Sequence, residues 1–153
     1  MKIEKRLEEL GIVLPEAAAP AAMYVPLVQT GNLIFISGQL PKDENGLLTG
    51  KAGDAHTMEE AKAGARICAI NALAALKAYL GDLDRVSRIV KLQAFVASKT
   101  GFAEQHLVAN GASELLFDVF GEAGRHARTA VAVNQLPLDA TVEVEFIVEV
   151  KND

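Results

Sequence analysis

The sequence predicts an α+β domain, a mixed β-sheet with two α-helices packed on one face, and three features predict it. Asp54 to Gly81 carries apolar residues at three- and four-residue spacing on an alanine-rich body, the pattern of one long helix. Phe102 to Phe120 shows the pattern again and ends at Gly121. The C-terminal stretch from His126 to Val150 instead alternates in steps of two, as half-buried strands do.

Taken in order, Lys2 to Leu10 places Ile3, Leu7 and Leu10 on one helical stripe, with Gly11 as its C-cap. Val13 to Ala22 is a Pro/Ala linker. Tyr24 to Gln29 reads as a first strand, Thr30-Gly31-Asn32 as a turn, and Leu33 to Ile36 as an apolar strand of the fully buried kind that ends at Ser37-Gly38-Gln39. Pro41 to Gly53 is polar, glycine-rich loop. Thr57 and Glu60 form a capping box for the long helix, where Gly64 and the alanines point to close packing on a sheet. Ile89 to Val96 is a strand between the two helices. The last two runs, Arg128 to Val133 and Thr141 to Val148, are joined by Asn134 to Ala140 and read as a β-hairpin.

Composition excludes several classes. A chain of 153 residues, half of them hydrophobic, suits one domain with a real core and not a disordered segment. A net charge of −5 argues against a nucleic-acid partner, which needs a basic patch. The single cysteine, Cys68, makes no intramolecular disulfide and no zinc-type spacing, and within an alanine-rich helix it reads as a core thiol. Charges fill the N-terminus where a secretion signal needs an apolar stretch, and no apolar run approaches the length of a membrane span, so the expected location is cytoplasmic. Neither a metal site nor a cofactor is expected, since His56, His106 and His126 lack metal-ligand spacing and no phosphate loop is recognisable.

The chemistry-bearing residues gather near the chain's end. Arg128 offers a forked pair of donors that fits a carboxylate, against the plainer reading of a strand-end arginine in water. Glu143 would position water or move a proton if partly buried; its neighbours Glu145 and Glu149 favour a solvated sheet face instead. In the hairpin register that sets Ala132 opposite Glu143, Arg128 and Glu143 share a face roughly 13 Å apart, a span two long side chains close on a small ligand. A slip of one residue would put them on opposite faces. Gly38 allows close backbone approach at a strand exit, Tyr24 has a hydroxyl to cap a pocket, and His126 lies on the parity of Arg128.

Tyr24 with Gly31-Asn32, Ser37-Gly38-Gln39-x-Pro41, Asn110, and His126-Ala127-Arg128-Thr129 followed by Leu136-Pro137 and Val142-Glu143-Val144-Glu145 together resemble the RidA/YjgF/YER057c/UK114 family. The resemblance covers about residues 19 to 150. It divides the chain into an N-terminal helical extension, residues 1–18, and a family domain, residues 19–153. It implies a chorismate-mutase-like fold assembled as a homotrimer around a central barrel, with ligand clefts between subunits. It further implies cofactor-free hydrolysis of reactive enamine and imine metabolites, such as 2-aminoacrylate, to 2-keto acids. Arg128 then corresponds to the residue that holds a substrate carboxylate, and Glu143 to the acid that manages water and protons. Tyr24, Ser37, Gly38, Asn110 and Ala130 correspond to cleft positions.

The chain also departs from the pattern. Ala130 stands where a cysteine is common, His126 where proline is usual, and Ala22-Met23-Tyr24 replaces Gly-Pro-Tyr. Imine hydrolysis needs no thiol, since water is the nucleophile. These departures keep a second expectation open, a non-catalytic module that binds or senses a small acid. An endoribonuclease or translation inhibitor fits less well, because the chain is acidic and shows no catalytic histidine pair.

Overall fold

In the computed structural model, which describes residues 1–17 and 23–151, the long central helix begins at its capping box. The Thr57 side chain accepts from the Glu60 amide and the Glu60 side chain accepts from the Thr57 amide, which satisfies two free donors of the first turn. Three helices, α1 (Lys2–Glu9), α2 (Met58–Leu80) and α3 (Gln105–Phe120), accompany seven strands. These are β1 (Leu27–Thr30), β2 (Leu33–Gln39), β3 (Lys42–Asp43), β4 (Gly46–Leu47), β5 (Val86–Ala97), β6 (Ala127–Val133) and β7 (Val142–Val150). Strands β3 and β4 form a separate small hairpin within the predicted loop. The Pro/Ala linker is described only as far as residue 17; residues 18–22, and the last two residues of the chain, lie outside the described part.

The main sheet has the order β1-β2-β7-β5-β6. Helix α2 lies over β2 and β7, and α3 over β5 and β6, so both helices cover one face, as the sequence predicts. Burial alternates along β7, with Val142, Val144, Phe146 and Val148 facing the helices and Glu143, Glu145, Ile147 and Glu149 facing the open side. Close approach depends on small residues. A side chain at Gly64 would meet Leu48, Val142 and Pro41, and one at Gly111 would collide with the backbone carbonyl of Lys62, so α3 crosses α2 almost backbone to backbone.

The C-terminal hairpin is not formed. Strand β5 separates β6 from β7, parallel to the first and antiparallel to the second. The β5–α3–β6 segment is a crossover unit, whose helix returns the chain to a parallel neighbour. The link to β7 then clears β5 through a short 3-10 turn, Pro137–Asp139, in which Leu138 and Asp139 adopt φ 59° and 61°. Alternation and a polar turn are local signals and do not reveal that a third strand fills the gap.

Two narrower expectations also change. Leu33 to Ile36 is not buried throughout; Ile34 and Ile36 enter the core, while Phe35 lies on the open face, 42% exposed. Helix α2, with 23 residues, is long and apolar enough by length and composition to cross a bilayer, contrary to the reading that no run approaches that length. Its Ala61, Ala65, Cys68, Ala72 and Leu76 are buried in the domain core. Cys68 is the core thiol expected, with its Sγ donating to the Val142 carbonyl and burial pushing its pKa well up.

Helix α1 joins the same core through Leu7, followed by Ile12. Asp84 clamps its start. The carboxylate accepts from the Ile3 and Lys2 amides, both at 2.8 Å, and pairs with the Met1 amine at 3.0 Å. These amide hydrogen bonds, more than the amine charge, hold the Asp84 pKa at about 2.

Candidate functional site

The structure sorts the candidate residues into two groups on opposite sides of the sheet. Arg128 is in register with Leu92 of β5 and, across it, Phe146 of β7, all facing the helices. Glu143 is in register with Phe95, which aligns with Val131, and these face the open side. Two strand spacings and three residues of rise separate the two positions, roughly 14 Å of backbone. The same-face arrangement expected from the hairpin is therefore overturned. One chain cannot close Arg128 and Glu143 on one ligand.

The first group is built by the edge strand β6 against α3. Arg128 Nη1 donates to Asn110 Oδ1 at 2.7 Å and to Ser113 Oγ at 3.1 Å, and Nη2 donates to the His106 carbonyl at 3.3 Å. Residues 106, 110 and 113 lie one helical turn apart in succession, so a single face of α3 supplies all three acceptors. All three are neutral, and among the described residues no carboxylate pairs with Arg128. A guanidinium has five N–H donors. The Nε hydrogen and one Nη2 hydrogen remain, the number that a single carboxylate takes. Ala130 follows on the same face, half-buried, in register with Ala94.

Arg128 is a candidate by residue type and Asn110 by the family resemblance, whereas nothing in the local pattern distinguishes Ser113 from any helix serine. A cavity of about 450 Å³ opens here, lined in part by Ser113, Phe117, Arg125, His126 and Arg128. His126 is held on both ring nitrogens, Nδ1 at 2.6 Å from the Gly124 carbonyl and Nε2 at 2.8 Å from Ser113 Oγ. Burial, and then the nearby charge of Arg128, hold its pKa below the usual histidine value.

The second group forms where β2 meets β7. The register between them shifts between Ile36 and Gln39, a bulge that contains Ser37 and Gly38. Glu143 lies over Gly38, where any side chain would collide with the Glu143 carboxylate. That explains the glycine by space and not by backbone conformation. Burial and the adjacent Glu145 raise the Glu143 pKa. Ser37 is tied to the chain before β1, with Oγ donating to the Val25 carbonyl at 2.7 Å and its amide to the Pro26 carbonyl at 2.8 Å. Tyr24, 60% exposed, together with Ser37 and Gly38, lines a cavity of about 1110 Å³ that runs beneath residues 11–17 to the Arg66–Asn71 face of α2.

One cluster has metal-ligand character. Single carboxylate oxygens of Glu4, Asp82 and Asp84 lie within 4.8 Å of one another. Each is already engaged, Glu4 by Lys77 and the Leu83 amide, Asp82 by the Asp84 amide, and Asp84 by the start of α1. The cluster clamps the N-terminal helix, and none of its three residues lines either cavity.

Comparison with known proteins resolves what this arrangement belongs to. The family described as "YjgF/chorismate_mutase-like, putative endoribonuclease" matches residues 4–150. The chain belongs to the YjgF/RidA family. Its fold is the chorismate-mutase-like α+β fold of that family. The chain is 52% identical over 153 residues to Protein TCP17 of Trypanosoma cruzi, covering 99% of this chain and 96% of that one. A crystal structure of a protein of unknown function from Agrobacterium tumefaciens superposes with a TM-score of 0.91 at 49% identity, covering 98% of this chain and 93% of the other. The Escherichia coli YjgF gene product superposes with a TM-score of 0.62 at 30% identity, covering 90% and 94%. The strong match to the Agrobacterium protein includes nearly the whole chain, and so takes in α1 as well as the sheet.

Proposed function

We propose that the chain is a cofactor-free hydrolase of reactive enamine and imine metabolites that carry a carboxylate, acting in clefts that another copy of the chain completes. The observation that carries this reading is Arg128, a cation fixed by three neutral acceptors with two donors left for a ligand. For 2-aminoacrylate, protonation at carbon gives the imine, water adds to the C=N carbon, and ammonia leaves to give the 2-keto acid. One water is consumed and one ammonia released per turnover. Arg128 neutralises the carboxylate, which otherwise repels electrons arriving at the adjacent carbon. Glu143 moves protons, and its raised pKa keeps a protonated fraction closer to neutrality than an ordinary carboxylate does. Water is the nucleophile, so Ala130 in place of a thiol leaves the chemistry intact.

Because Arg128 and Glu143 occupy opposite faces of one sheet, the reading requires assembly, with Arg128, Asn110 and Ala130 from one copy facing Glu143, Gly38, Ser37 and Tyr24 of another. A homotrimer with its open sheet faces turned inward meets that need. Exposed Val28, Phe35 and Val131 on or beside the open face support it, since apolar side chains clustered on a sheet face ordinarily find a cover. The same separation favours one second reading, a module that binds a small acid at Arg128 without turning it over. Ammonia release from enzymatically generated 2-aminoacrylate, wild type beside Arg128→Ala, tests the proposal. Acceleration by the wild type alone is expected. Saturable keto-acid binding without acceleration would leave the binding module standing.

A further inference from the structure

His126 stands two residues ahead of Arg128, and the structure joins them through Ser113. The Gly124 carbonyl can only accept, so the 2.6 Å contact places the ring proton on Nδ1. Nε2 of the neutral ring then accepts, and the Ser113 hydroxyl, 2.8 Å away, donates to it. The Ser113 lone pairs are left for Arg128 Nη1 at 3.1 Å. The hydrogen bonds therefore run in one direction, from Arg128 to Ser113 to His126 to the Gly124 carbonyl.

The charged groups around this imidazole come from every element packed against it. Helix α3 brings Glu114 and Asp118, the turn before β6 brings Glu122 and Arg125, and β6 brings Arg128, while Lys91 of β5, in register with Ala127 and Ile147, belongs to the open side. Glu114 is engaged by Lys62 at 3.2 Å and Glu122 by Arg125 at 3.1 Å. Arg128 is the charge that bears on His126, through a shared hydroxyl.

We propose that Ser113 and His126 are positioning residues for Arg128, and that they link its anion site to proton uptake on His126. A bound carboxylate and a protonated His126 then favour each other. The inference rests on the reading that Arg128 anchors a carboxylate. With the site empty, a second cation on His126 is opposed by the guanidinium next to it. A bound carboxylate cancels that opposition. Protonated Nε2 then donates to Ser113, whose proton turns to another acceptor, while the 2.7 Å bond from Arg128 to Asn110 persists. Linkage is reciprocal, so whatever factor the anion adds to proton affinity, acidification adds to anion affinity.

The test uses the full chain with ¹⁵N-labelled histidine, titrated by NMR with and without saturating pyruvate as the carboxylate probe. His126→Gln assigns the resonance and keeps an acceptor for Ser113 that does not titrate. At neutral pH the spectrum should show the proton on Nδ1. The His126 midpoint should rise in Arg128→Gln, and it should rise in the wild type on adding pyruvate. The pyruvate Kd should tighten about 5-fold between pH 7.5 and 5.5 in the wild type and stay level in His126→Gln. A midpoint that moves with neither perturbation, or a Kd with the same pH slope in His126→Gln, overturns the proposal. So does a midpoint that moves in Arg128→Gln but not with pyruvate. Ammonia release, wild type beside Arg128→Ala, decides the hydrolase reading separately, so the linkage fails alone if turnover still depends on Arg128.

Discussion

Gly38→Ala separates the fold from the chemistry. An added Cβ would lie 2.8 Å from Glu143 Cδ and 3.0 Å from Cγ, and it would collide with the carboxylate itself; no backbone atom is among its nearest neighbours. Overpacking against a fixed core group costs about 1–3 kcal/mol, but the end of a glutamate can swing aside. Burial already disfavours the ionised Glu143, so moving it toward water returns part of the strain. The stability cost should therefore stay below about 1 kcal/mol. The catalytic cost should be larger, about 10²-fold in kcat, because a displacement near 1 Å of a proton-transfer group forfeits most of its contribution. The released carboxylate should also titrate at lower pH, and since its protonated form delivers the proton, the alkaline limb of the pH–rate profile should move downward. Thermal melting and steady-state imine hydrolysis across pH measure both effects. A kcat within about 3-fold of wild type with an unmoved alkaline limb would refute the placement of Glu143 over Gly38 as functional.

Other outcomes follow from the same geometry. Glu143→Gln should lower imine hydrolysis by about 10²-fold or more while leaving thermal stability at pH 7 equal or higher. The raised pKa means that ionised Glu143 burdens the fold above that pKa and ceases to as pH falls through it, so the stability gain should vanish in acid. Asp84→Asn should destabilise by about 1 kcal/mol in urea melts at pH 7, since the pKa shift sets a ceiling of about 2.5 kcal/mol and solvent screening at a partly exposed carboxylate lowers it. Because the folded pKa is depressed to about 2 from 3.8, that contribution is present above 3.8 and lost as pH falls through about 2, where mutant and wild type should converge. Gly111→Ala, ordinarily worth about 1 kcal/mol of added helix stability, should instead destabilise by about 2 kcal/mol or more, because its Cβ meets the Lys62 backbone carbonyl. His126, with its pKa lowered by burial and Arg128, should make the fold lose stability as pH drops below 6.5, and His126→Gln should flatten that slope in chemical denaturation.

By itself the sequence determined the elements and most of the chemical vocabulary. The capping box at Thr57 formed as read, the helix read over Asp54 to Gly81 runs from Met58 to Leu80, and the alternation read over Thr141 to Val148 forms the strand Val142–Val150, all from properties of neighbouring residues. Arg128, Gly38 and Glu143 were legible as candidates because residue types and spacings are local too, whereas Asn110 was implied by the family resemblance alone. Only the tertiary structure decided which strand lies beside which. Strand β5 enters between β6 and β7 because α3 carries the chain back over the sheet, and that choice sets Arg128 and Glu143 on opposite faces. It also brought Ser113 to His126 and Arg128, and Gly38 beneath Glu143. Such meetings join segments distant along the chain, and their pairing depends on how apolar faces are buried together, which no window of sequence contains.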